Sequence, residues 1–235
     1  MRQVLIWEND GEPIAGQSYS KAIVRQLSTA GFTPLVVPVQ TRGLTEEEMR
    51  CPNHILTGGA TPADSSEEWM QRSLQQLKGV LSRADAGKTV VVGICLGSQM
   101  LATVLLGRYA ARANPIGIEV GLKRVNGVGH VPDIPAVAQC HYEDIISDIL
   151  SIDGVTHLYE NGHTRIQGFS FHDRIFGYQF HLELTPDEVI ALIKHNKILI
   201  ADHDGDIEHI LQSTMESSNK WSPELFDNLV LNHLC

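Results

Sequence analysis

A cysteine lies where an apolar run gives way to a helical pattern, in KTVVVGICLGSQMLATVLLG (residues 88–107). Gly93 precedes Cys95 by two residues and Gly97 follows it by two. Glycines at these positions let a strand and a helix approach closely around a sharp turn. The start of a helix also brings free N–H groups and a positive dipole to the sulfur, which favours the nucleophilic thiolate. The pattern indicates a thiol nucleophile, with a small buried cysteine as the alternative explanation.

A histidine and a glutamate two residues apart provide the base that a thiol nucleophile needs. In YQFHLELTP, His181 and Glu183 would face the same way on an extended strand. The carboxylate could hold the imidazole in one tautomer while the ring faces the sulfur of Cys95. The N–H of Leu96 would point at an oxyanion on the attacked carbonyl. An isolated H-x-E is weak among eleven histidines, but together with the glycine-bracketed cysteine it predicts a Cys-His-Glu site.

The surrounding segments alternate between strand and helix patterns and must position these residues. Strand patterns occupy 3–7, 33–39, 54–57 and 89–94, and helical patterns occupy 18–30, 67–86 and 96–106. The run 89–94 lacks alternation, which is typical of a parallel strand covered on both faces. Glycines and prolines divide 116–180 into short strand-like pieces, which predicts a mixed or antiparallel extension of the same sheet. The sequence therefore predicts an α/β fold with a mostly parallel central sheet.

The last part of the chain has a helical pattern again. Helices are expected at 186–201, about 207–215 and about 223–233. Thr185 followed by Glu188 predicts a capping box at the first of them. The helical face around Trp69 is most simply part of the core.

Composition and charge exclude several classes of protein. The 235 residues are 43% hydrophobic with a net charge of −10, which argues against a nucleic-acid partner or an anionic membrane surface. The first residues, MRQVLIWEND, resemble a strand and not a signal peptide, and no apolar run reaches membrane-spanning length. Four cysteines lie far apart, which predicts reduced thiols in a cytoplasmic protein; they are Cys51, Cys95, Cys140 and Cys235.

One acidic stretch, ADHDGDIEH (residues 201–209), has the composition of a metal loop. It contains His203, Asp204, Asp206 and His209 but lacks the spacing and terminal glutamate of a calcium loop. A solvated loop that caps the neighbouring helices is the favoured interpretation. We therefore expect no metal and no cofactor.

The motifs resemble those of the class I glutamine amidotransferases. GICLGSQMLA is similar to the family's nucleophile elbow and GYQFHLELTP to its His-Glu segment. ILTGGATPAD, GIEVG and QCHYEDI lie where the family has its Gly-Gly-Pro loop, its Glu-Ile-Gly element and its Ser-His-Gly-Asp-like segment. The resemblance implies a flavodoxin-like three-layer sandwich over residues 1–201, with a helical extension over 202–235 packed on the same domain. It is closest to stand-alone proteins similar to the amidotransferase part of GMP synthase.

The resemblance implies hydrolysis of L-glutamine to glutamate and ammonia through a γ-glutamyl thioester. Cys95 would attack the amide, His181 would transfer protons, and Glu183 would orient His181. The oxyanion hole would be the N–H groups of Gly59 and Leu96. The implied substrate contacts are Gly58, Gln99, Cys140, His141 and Tyr142.

The sequence departs from the family pattern at two places in the substrate site, and it contains no segment that resembles an ammonia-accepting module. Ala60 replaces the proline of the Gly-Gly-Pro loop, which predicts a less rigid loop. Tyr142-Glu143 replaces Gly-Asp, which changes the expected substrate contacts. Nothing in the sequence resembles a synthase module, so productive use of ammonia would need a separate ammonia-accepting synthase. The oligomeric state stays open.

Three other functions compete with this one. A γ-glutamyl hydrolase would use the same triad on another γ-glutamyl amide. A non-catalytic regulatory homologue would keep the fold without turnover, since fold alone does not prove activity. A metal-dependent hydrolase would lose its activity to chelators.

Overall fold

The computed structural model of the chain describes residues 2–11, 13–203 and 205–234. Its strands are β1 (Gln3–Glu8), β2 (Thr33–Pro38), β3 (Asn53–Leu56), β4 (Val90–Ile94), β5 (Ala111–Ala113), β6 (Glu119–Gly127), β7 (Ile134–His141), β8 (Glu143–Ile145), β9 (Val155–Glu160), β10 (Gly168–Phe171) and β11 (Ile175–Tyr178). Its α-helices are α1 (Tyr19–Thr29), α2 (Glu46–Met49), α3 (Glu68–Asp85), α4 (Leu96–Leu106), α5 (Pro186–His195), α6 (Lys197–Asp202), α7 (Ile207–Ser217) and α8 (Leu225–Leu229). Short 3₁₀ segments lie at Ser147–Ser151, Ser218–Lys220 and Leu231–His233.

Within the described part of the chain, nine strands form one sheet in the order β2-β1-β3-β4-β11-β10-β9-β6-β7. The pairs from β2 to β11 are parallel. The pairs from β11 to β7 are antiparallel. Strands β5 and β8 form a separate antiparallel pair. The predicted α/β architecture, a parallel sheet with an antiparallel extension, is therefore confirmed.

Helices cover both faces of the parallel half, which gives three layers. Along β1, Leu5 and Trp7 pack toward α3 and α4, while Val4 and Ile6 pack toward α1 and α8. This alternation follows from the two-residue period of a strand, and burial on both faces explains the continuous apolar runs. Trp69 of α3 lies in the first of these clusters and is 8% exposed, so its predicted core position is confirmed.

The chain has a break where the sequence predicts one helix over 186–201. Helix α5 ends at His195 and α6 begins at Lys197. Between them, the side-chain amide of Asn196 donates to the carbonyls of Leu192 at 2.9 Å and Pro13 at 3.0 Å. An asparagine that bonds the backbone in this way competes with the helical ladder, which explains the break. The capping box of Thr185 and Glu188 at the start of α5 is confirmed.

The last helices pack on two different parts of the sheet. Helix α7 contacts β6, where the N–H of Leu122 donates to the hydroxyl of the fully buried Thr214 at 3.4 Å. Helix α8 contributes Phe226, which is 1% exposed, to the cluster beneath α1. It covers only part of the predicted 223–233 helix and is followed by a 3₁₀ turn. The division of the chain into 1–201 and 202–235 stays a prediction.

Among the described residues, no helix combines the length and the apolar character needed to cross a membrane.

Candidate active site

The turn between β4 and α4 holds Cys95 in a strained backbone conformation. Its φ is 51° and its ψ is −110°, a region that residues with a side chain rarely adopt. Its N–H donates to the carbonyl of Tyr178 in the neighbouring strand β11 at 2.8 Å. The hydrogen bond anchors the turn to the sheet, so the strain is maintained by the surrounding fold.

Two glycines allow strand and helix to approach at this turn. A Cβ on Gly93 would lie 2.5 Å from the carbonyl oxygen of Gly97, and one on Gly97 would lie 2.5 Å from that of Leu56. Both distances are far shorter than a Cβ atom's non-bonded contacts in proteins, and both involve backbone atoms, which cannot move aside easily. The predicted reason for the glycines on either side of Cys95 is therefore confirmed.

Cys95 is 6% exposed. The sulfur lies 3.8 Å from the carbonyl oxygen of Cys140 and 3.8 Å from the side-chain nitrogen of Gln179. The amide of Gln179 is in turn bonded to that of Gln99 at 3.4 Å. The predicted nucleophile thus lies among polar groups of strand β7, of the residue that follows β11 and of helix α4.

His181 and Glu183 form a buried pair. Nδ1 of His181 and Oε1 of Glu183 are 2.7 Å apart, and neither side chain is exposed. The predicted strand context is wrong, because β11 ends at Tyr178 and the chain bends before His181. The backbone N–H of His181 instead donates to the carbonyl of Ala138 in β7 at 2.8 Å. This bridge fixes the segment in place of a continuing strand.

The charge of Glu183 changes the acidity of His181. Burial of the ring lowers the pKa of His181, but the Glu183 carboxylate and the nearby Cys95 thiol outweigh this effect and raise it above its ordinary value. Nε2 is buried and has no hydrogen-bond partner of good geometry among the described residues. The contact with the thiol is therefore loose, as in many catalytic sites without substrate. With Nδ1 bonded to a carboxylate, Nε2 is the nitrogen that faces the sulfur.

The loop after β3 contains the predicted oxyanion hole. A Cβ on Gly59 would lie 2.5 Å from the Leu96 side chain, so this glycine is in close contact with the start of α4. A Cβ on Gly58 would lie 2.9 Å from the His181 ring. Leu96 is the first residue of α4, where N–H groups have no acceptor within the helix. Loop and helix thus meet beside Cys95.

Asp10 anchors the same loop, and sequence reasoning missed it. Its carboxylate accepts hydrogen bonds from the N–H of Ala60 at 3.2 Å, from the N–H of Thr61 at 3.0 Å and from the Thr61 hydroxyl at 2.6 Å. The loop is therefore fixed by a carboxylate from the β1–α1 connection, although proline is absent at position 60. The prediction of a less rigid loop, which was based on Ala60, did not include these hydrogen bonds to Asp10.

A cavity of about 400 Å³ opens above Cys95. It is lined by most of the predicted site residues: Gly59, Cys95, Leu96, Gln99, Cys140, His141 and Tyr142. His181 and Glu183 lie behind its wall, and Gly58 contacts His181 there. Among the described residues that line it, none is a lysine or an arginine. Glu143, from the segment where the sequence departs from the family pattern, also lines it. Tyr19 and Leu199 line it as well and were not predicted, because they come from segments without a motif.

The predicted substrate contacts differ in how they face the cavity. The ring of His141 is bonded to the side chain of Gln139 at 3.1 Å and to the carbonyl of Glu143 at 3.1 Å, so it supports the wall. Burial and the neighbouring Cys95 raise the pKa of the Cys140 thiol to about 12. A thiol of this kind stays protonated and behaves as a small packed side chain. The role of these residues in substrate binding stays a prediction.

The acidic stretch after α6 contributes to the cavity and to a helix cap. His203 stacks on Tyr142 with ring centroids 5.0 Å apart, and Asp206 caps α7 through the N–H of His209 at 3.1 Å. Asp204 and Cys235 lie outside the described residues. Across 2–11, 13–203 and 205–234, no group of three His, Cys, Asp or Glu side chains is arranged to hold a metal ion.

Comparisons with known proteins point to one family. The family model of glutamine amidotransferase class-I matches residues 15–199. A glutamine amidotransferase structure from Thermotoga maritima has a TM-score of 0.74 at 22% identity, covering 99% of this chain and 97% of that one. A Thermoplasma acidophilum protein, described as belonging to GMP synthase, has a TM-score of 0.60 at 21% identity, covering 85% and 98%. At these identities the structures show the fold alone.

Two curated relatives match at comparable sequence identity. The glutamine amidotransferase-like protein YfeJ of Salmonella typhimurium is 24% identical over 163 residues, which span 64% of this chain and 64% of the relative. Gamma-glutamyl peptidase 5 of Arabidopsis thaliana is 19% identical over 181 residues, which span 71% and 68%. The chain therefore covers about two thirds of the length of each relative.

Proposed function

The chain belongs to the class-I glutamine amidotransferase family, and from this premise we propose that it hydrolyses the side-chain amide of L-glutamine. The products are glutamate and ammonia, and the intermediate is a γ-glutamyl thioester on Cys95. One observation carries the proposal: a cysteine in a strained strand-to-helix turn interacts with a buried imidazole that is bonded to a carboxylate at 2.7 Å. These groups are a nucleophile, a base and a group that orients the base.

The reaction proceeds in two halves. The Cys95 sulfur attacks the amide carbon, and its proton goes to Nε2 of His181. The protonated His181 gives that proton to the departing nitrogen, which leaves as ammonia. In the second half His181 takes a proton from water, the resulting hydroxide attacks the thioester, and the sulfur leaves as its thiol. Glu183 orients the ring and stabilises its cationic form throughout.

Backbone N–H groups stabilise the oxyanion of each tetrahedral intermediate. We assign this role to the N–H groups of Gly59 and Leu96. The close contact between the Gly59 loop and the start of α4, and the anchoring of that loop by Asp10, support the assignment. Preformed donors need no rearrangement when the negative charge develops, which is why such a site accelerates the reaction.

The amino-acid end of glutamine occupies the cavity above Cys95. We assign contacts there to Gly58, Gln99, Cys140, His141 and Tyr142. Ammonia passes to a separate synthase, as the resemblance to a protein described as part of GMP synthase suggests. The chain thus acts as the glutamine-hydrolysing partner of an amidotransferase pair.

Labelling and turnover test the proposal together. The protein is incubated with a diazo-ketone analogue of glutamine, and ammonia release from glutamine is measured in parallel, with and without a chelator. We expect labelling at Cys95, turnover insensitive to the chelator, and loss of roughly a thousandfold or more in a Cys95→Ser variant. Failure to label Cys95, or turnover that survives in Cys95→Ser, would refute the nucleophile assignment. Loss of turnover to the chelator would favour a metal-dependent hydrolase.

A second candidate is a γ-glutamyl hydrolase, favoured by the similarity to gamma-glutamyl peptidase 5. Both reactions use the same thioester, so they differ only in the leaving group. Rates on glutamine and on a series of N-substituted γ-glutamyl amides separate them. We expect glutamine to have the highest kcat/KM, and a strong preference for a secondary amide would identify the peptidase reaction instead.

A further inference from the structure

We propose that Tyr19 is a positioning residue whose ring face stabilises the protonated imidazole of His181 during acyl transfer. The inference rests on the proposed role of His181 as the proton carrier. It assigns a function to the first residue of α1, which none of the motifs in the sequence includes.

The two rings are stacked. Their centroids are 5.3 Å apart and their planes differ by 12°. A cation within about 6 Å of an aromatic centroid is attracted by the negative face of the ring. The nearly parallel planes at this separation form an offset stack, so the face of Tyr19, and not its edge, is turned toward the imidazole of His181.

The hydroxyl of Tyr19 does not take part in this contact. Nδ1 of His181 is occupied by Glu183, and Nε2 has no hydrogen-bond partner of good geometry among the described residues. The tyrosine therefore acts on the face of the ring while Glu183 acts on its edge. Burial and the nearby negative groups raise the pKa of the Tyr19 hydroxyl well above its ordinary value, so the ring stays neutral.

Both rings lie against the backbone of Gly58. A Cβ there would lie 2.9 Å from Cε1 of His181 and 3.1 Å from Cε1 of Tyr19. The stacked pair therefore occupies the space that any side chain at position 58 would need.

The reaction creates a stage at which this support matters most. While the sulfur is a thiolate, it and Glu183 both stabilise the His181 cation. Once the sulfur is bonded to substrate, its negative charge is gone, and His181 must keep its proton until the nitrogen departs. At that stage the face of the Tyr19 ring stabilises the His181 cation together with its remaining charged partner, the Glu183 carboxylate. The titratable groups around the two rings are Glu183, Cys95, Cys140 and Asp10.

Alkylation of Cys95 by iodoacetamide tests the inference without any substrate turnover. The rate is measured from pH 5 to 11 for the wild type, Tyr19→Leu, Tyr19→Phe and the control Phe171→Leu, and Cys95→Ser provides the blank for the other thiols. The plot of alkylation rate against pH has an upper inflection, which reports loss of the imidazolium proton from the Cys95–His181 pair. In Tyr19→Leu we expect it to move to lower pH by roughly half a unit to one unit. Tyr19→Phe, which keeps the ring, restores most of the wild-type profile.

The control variant removes a ring that stacks on a histidine outside the cavity. Phe171 stacks on His172 with ring centroids 4.0 Å apart, so Phe171→Leu leaves the upper inflection in place. Should Tyr19→Leu be unstable in a thermal melt, Tyr19→Met makes the same comparison. An unshifted inflection in the ringless variants, or an equal shift in Tyr19→Phe, would overturn the role of the ring. Wild-type Cys95 that reacts no faster than an ordinary thiol would instead overturn the proposed function itself.

Discussion

At the scale of single residues, the site contains some groups that can be predicted from the sequence and others that cannot. Cys95, His181 and Glu183 could be found because glycine spacing and a two-residue repeat are local patterns. Asp10 and Tyr19 could not, since neither belongs to a motif and the partners of both lie in other segments. A residue whose role depends on a partner far along the chain leaves no local signal.

Asp10 provides a test of the oxyanion loop. Replacing Asp10 by alanine removes the acceptor for two N–H groups and one hydroxyl of the loop at 60–61. The freed loop should hold the N–H of Gly59 less firmly, so we expect kcat for glutamine hydrolysis to fall roughly tenfold to a hundredfold. The exposed Asp64 is the matched control, and Asp64→Ala should keep kcat within about twofold. Equal effects of the two variants on kcat would show that Asp10 does not support the site.

A buried histidine outside the site makes stability depend on pH. Nδ1 of His54 accepts from the indole N–H of Trp7 at 2.9 Å, and Nε2 donates to the carbonyl of Cys51 at 3.0 Å. Burial lowers the pKa of His54 to about 4. Between pH 6.5 and 4 the unfolded chain therefore binds a proton at this histidine that the folded chain does not. The free energy of unfolding should therefore decrease as the pH is lowered across that window.

The measurement compares two histidine variants. The free energy of unfolding is determined by urea titration from pH 7 to 4 for the wild type, His54→Gln and the exposed His130→Gln. As the pH is lowered from 6.5 to 4, the free energy of unfolding of the wild type should decrease relative to that of His54→Gln by up to about 1.4 kcal/mol per pH unit. His130→Gln should run parallel to the wild type. Parallel curves for His54→Gln would mean that this residue does not titrate in the folded state as described.

At the scale of elements, pattern reasoning located most helices and strands but misjudged those fixed by long-range bonds. The apolar run before Cys95 and the helix after it match β4 and α4 because both are encoded by local burial. The strand expected around His181 ends early, since the backbone bond to Ala138 of β7 replaces the sheet ladder. The helix expected over 186–201 breaks because the Asn196 side chain bonds Pro13, which lies 183 residues away. Neither partner can be read from the local sequence.

The contact between β3, β4 and α4 can be tested through a glycine. A Cβ on Gly97 would lie 2.5 Å from the carbonyl oxygen of Leu56, so Gly97→Ala must push α4 away from the sheet. We expect a loss of roughly 1–3 kcal/mol or more in the free energy of unfolding, together with loss of Cys95 labelling. Gly79 lies in α3 with open space around it, so Gly79→Ala should stabilise the protein by roughly 0.5–1 kcal/mol. Urea unfolding of both variants distinguishes the destabilisation caused by crowding from the stabilisation caused by helix propensity. A Gly97→Ala variant with the wild-type free energy of unfolding would contradict the close packing.

At the scale of the whole molecule, helix α8 contributes to the core cluster on one face of the sheet. Helix α8 packs beneath the sheet on the same side as α1, and the hydroxyl of Tyr178 donates to the carbonyl of Leu229 at 3.2 Å. Tyr178 is also the strand residue whose carbonyl accepts the N–H of Cys95. Helix α8 and the nucleophile turn are thus both hydrogen-bonded to the last residue of β11. Stability of the fold and geometry of the site should therefore change together when α8 is weakened.

Phe226 tests this coupling. Its side chain is 1% exposed in the cluster beneath α1, so Phe226→Ala should cost roughly 3–5 kcal/mol of unfolding free energy, because it leaves a cavity in a packed core. Met215 of α7 is 56% exposed, and Met215→Ala should change stability by no more than about 0.5 kcal/mol. Urea unfolding measures both, and diazo-ketone labelling of Cys95 reports on the site. A Phe226→Ala protein as stable as Met215→Ala would mean that α8 does not belong to the core, and a destabilised variant with unchanged labelling would show that the turn is independent of it.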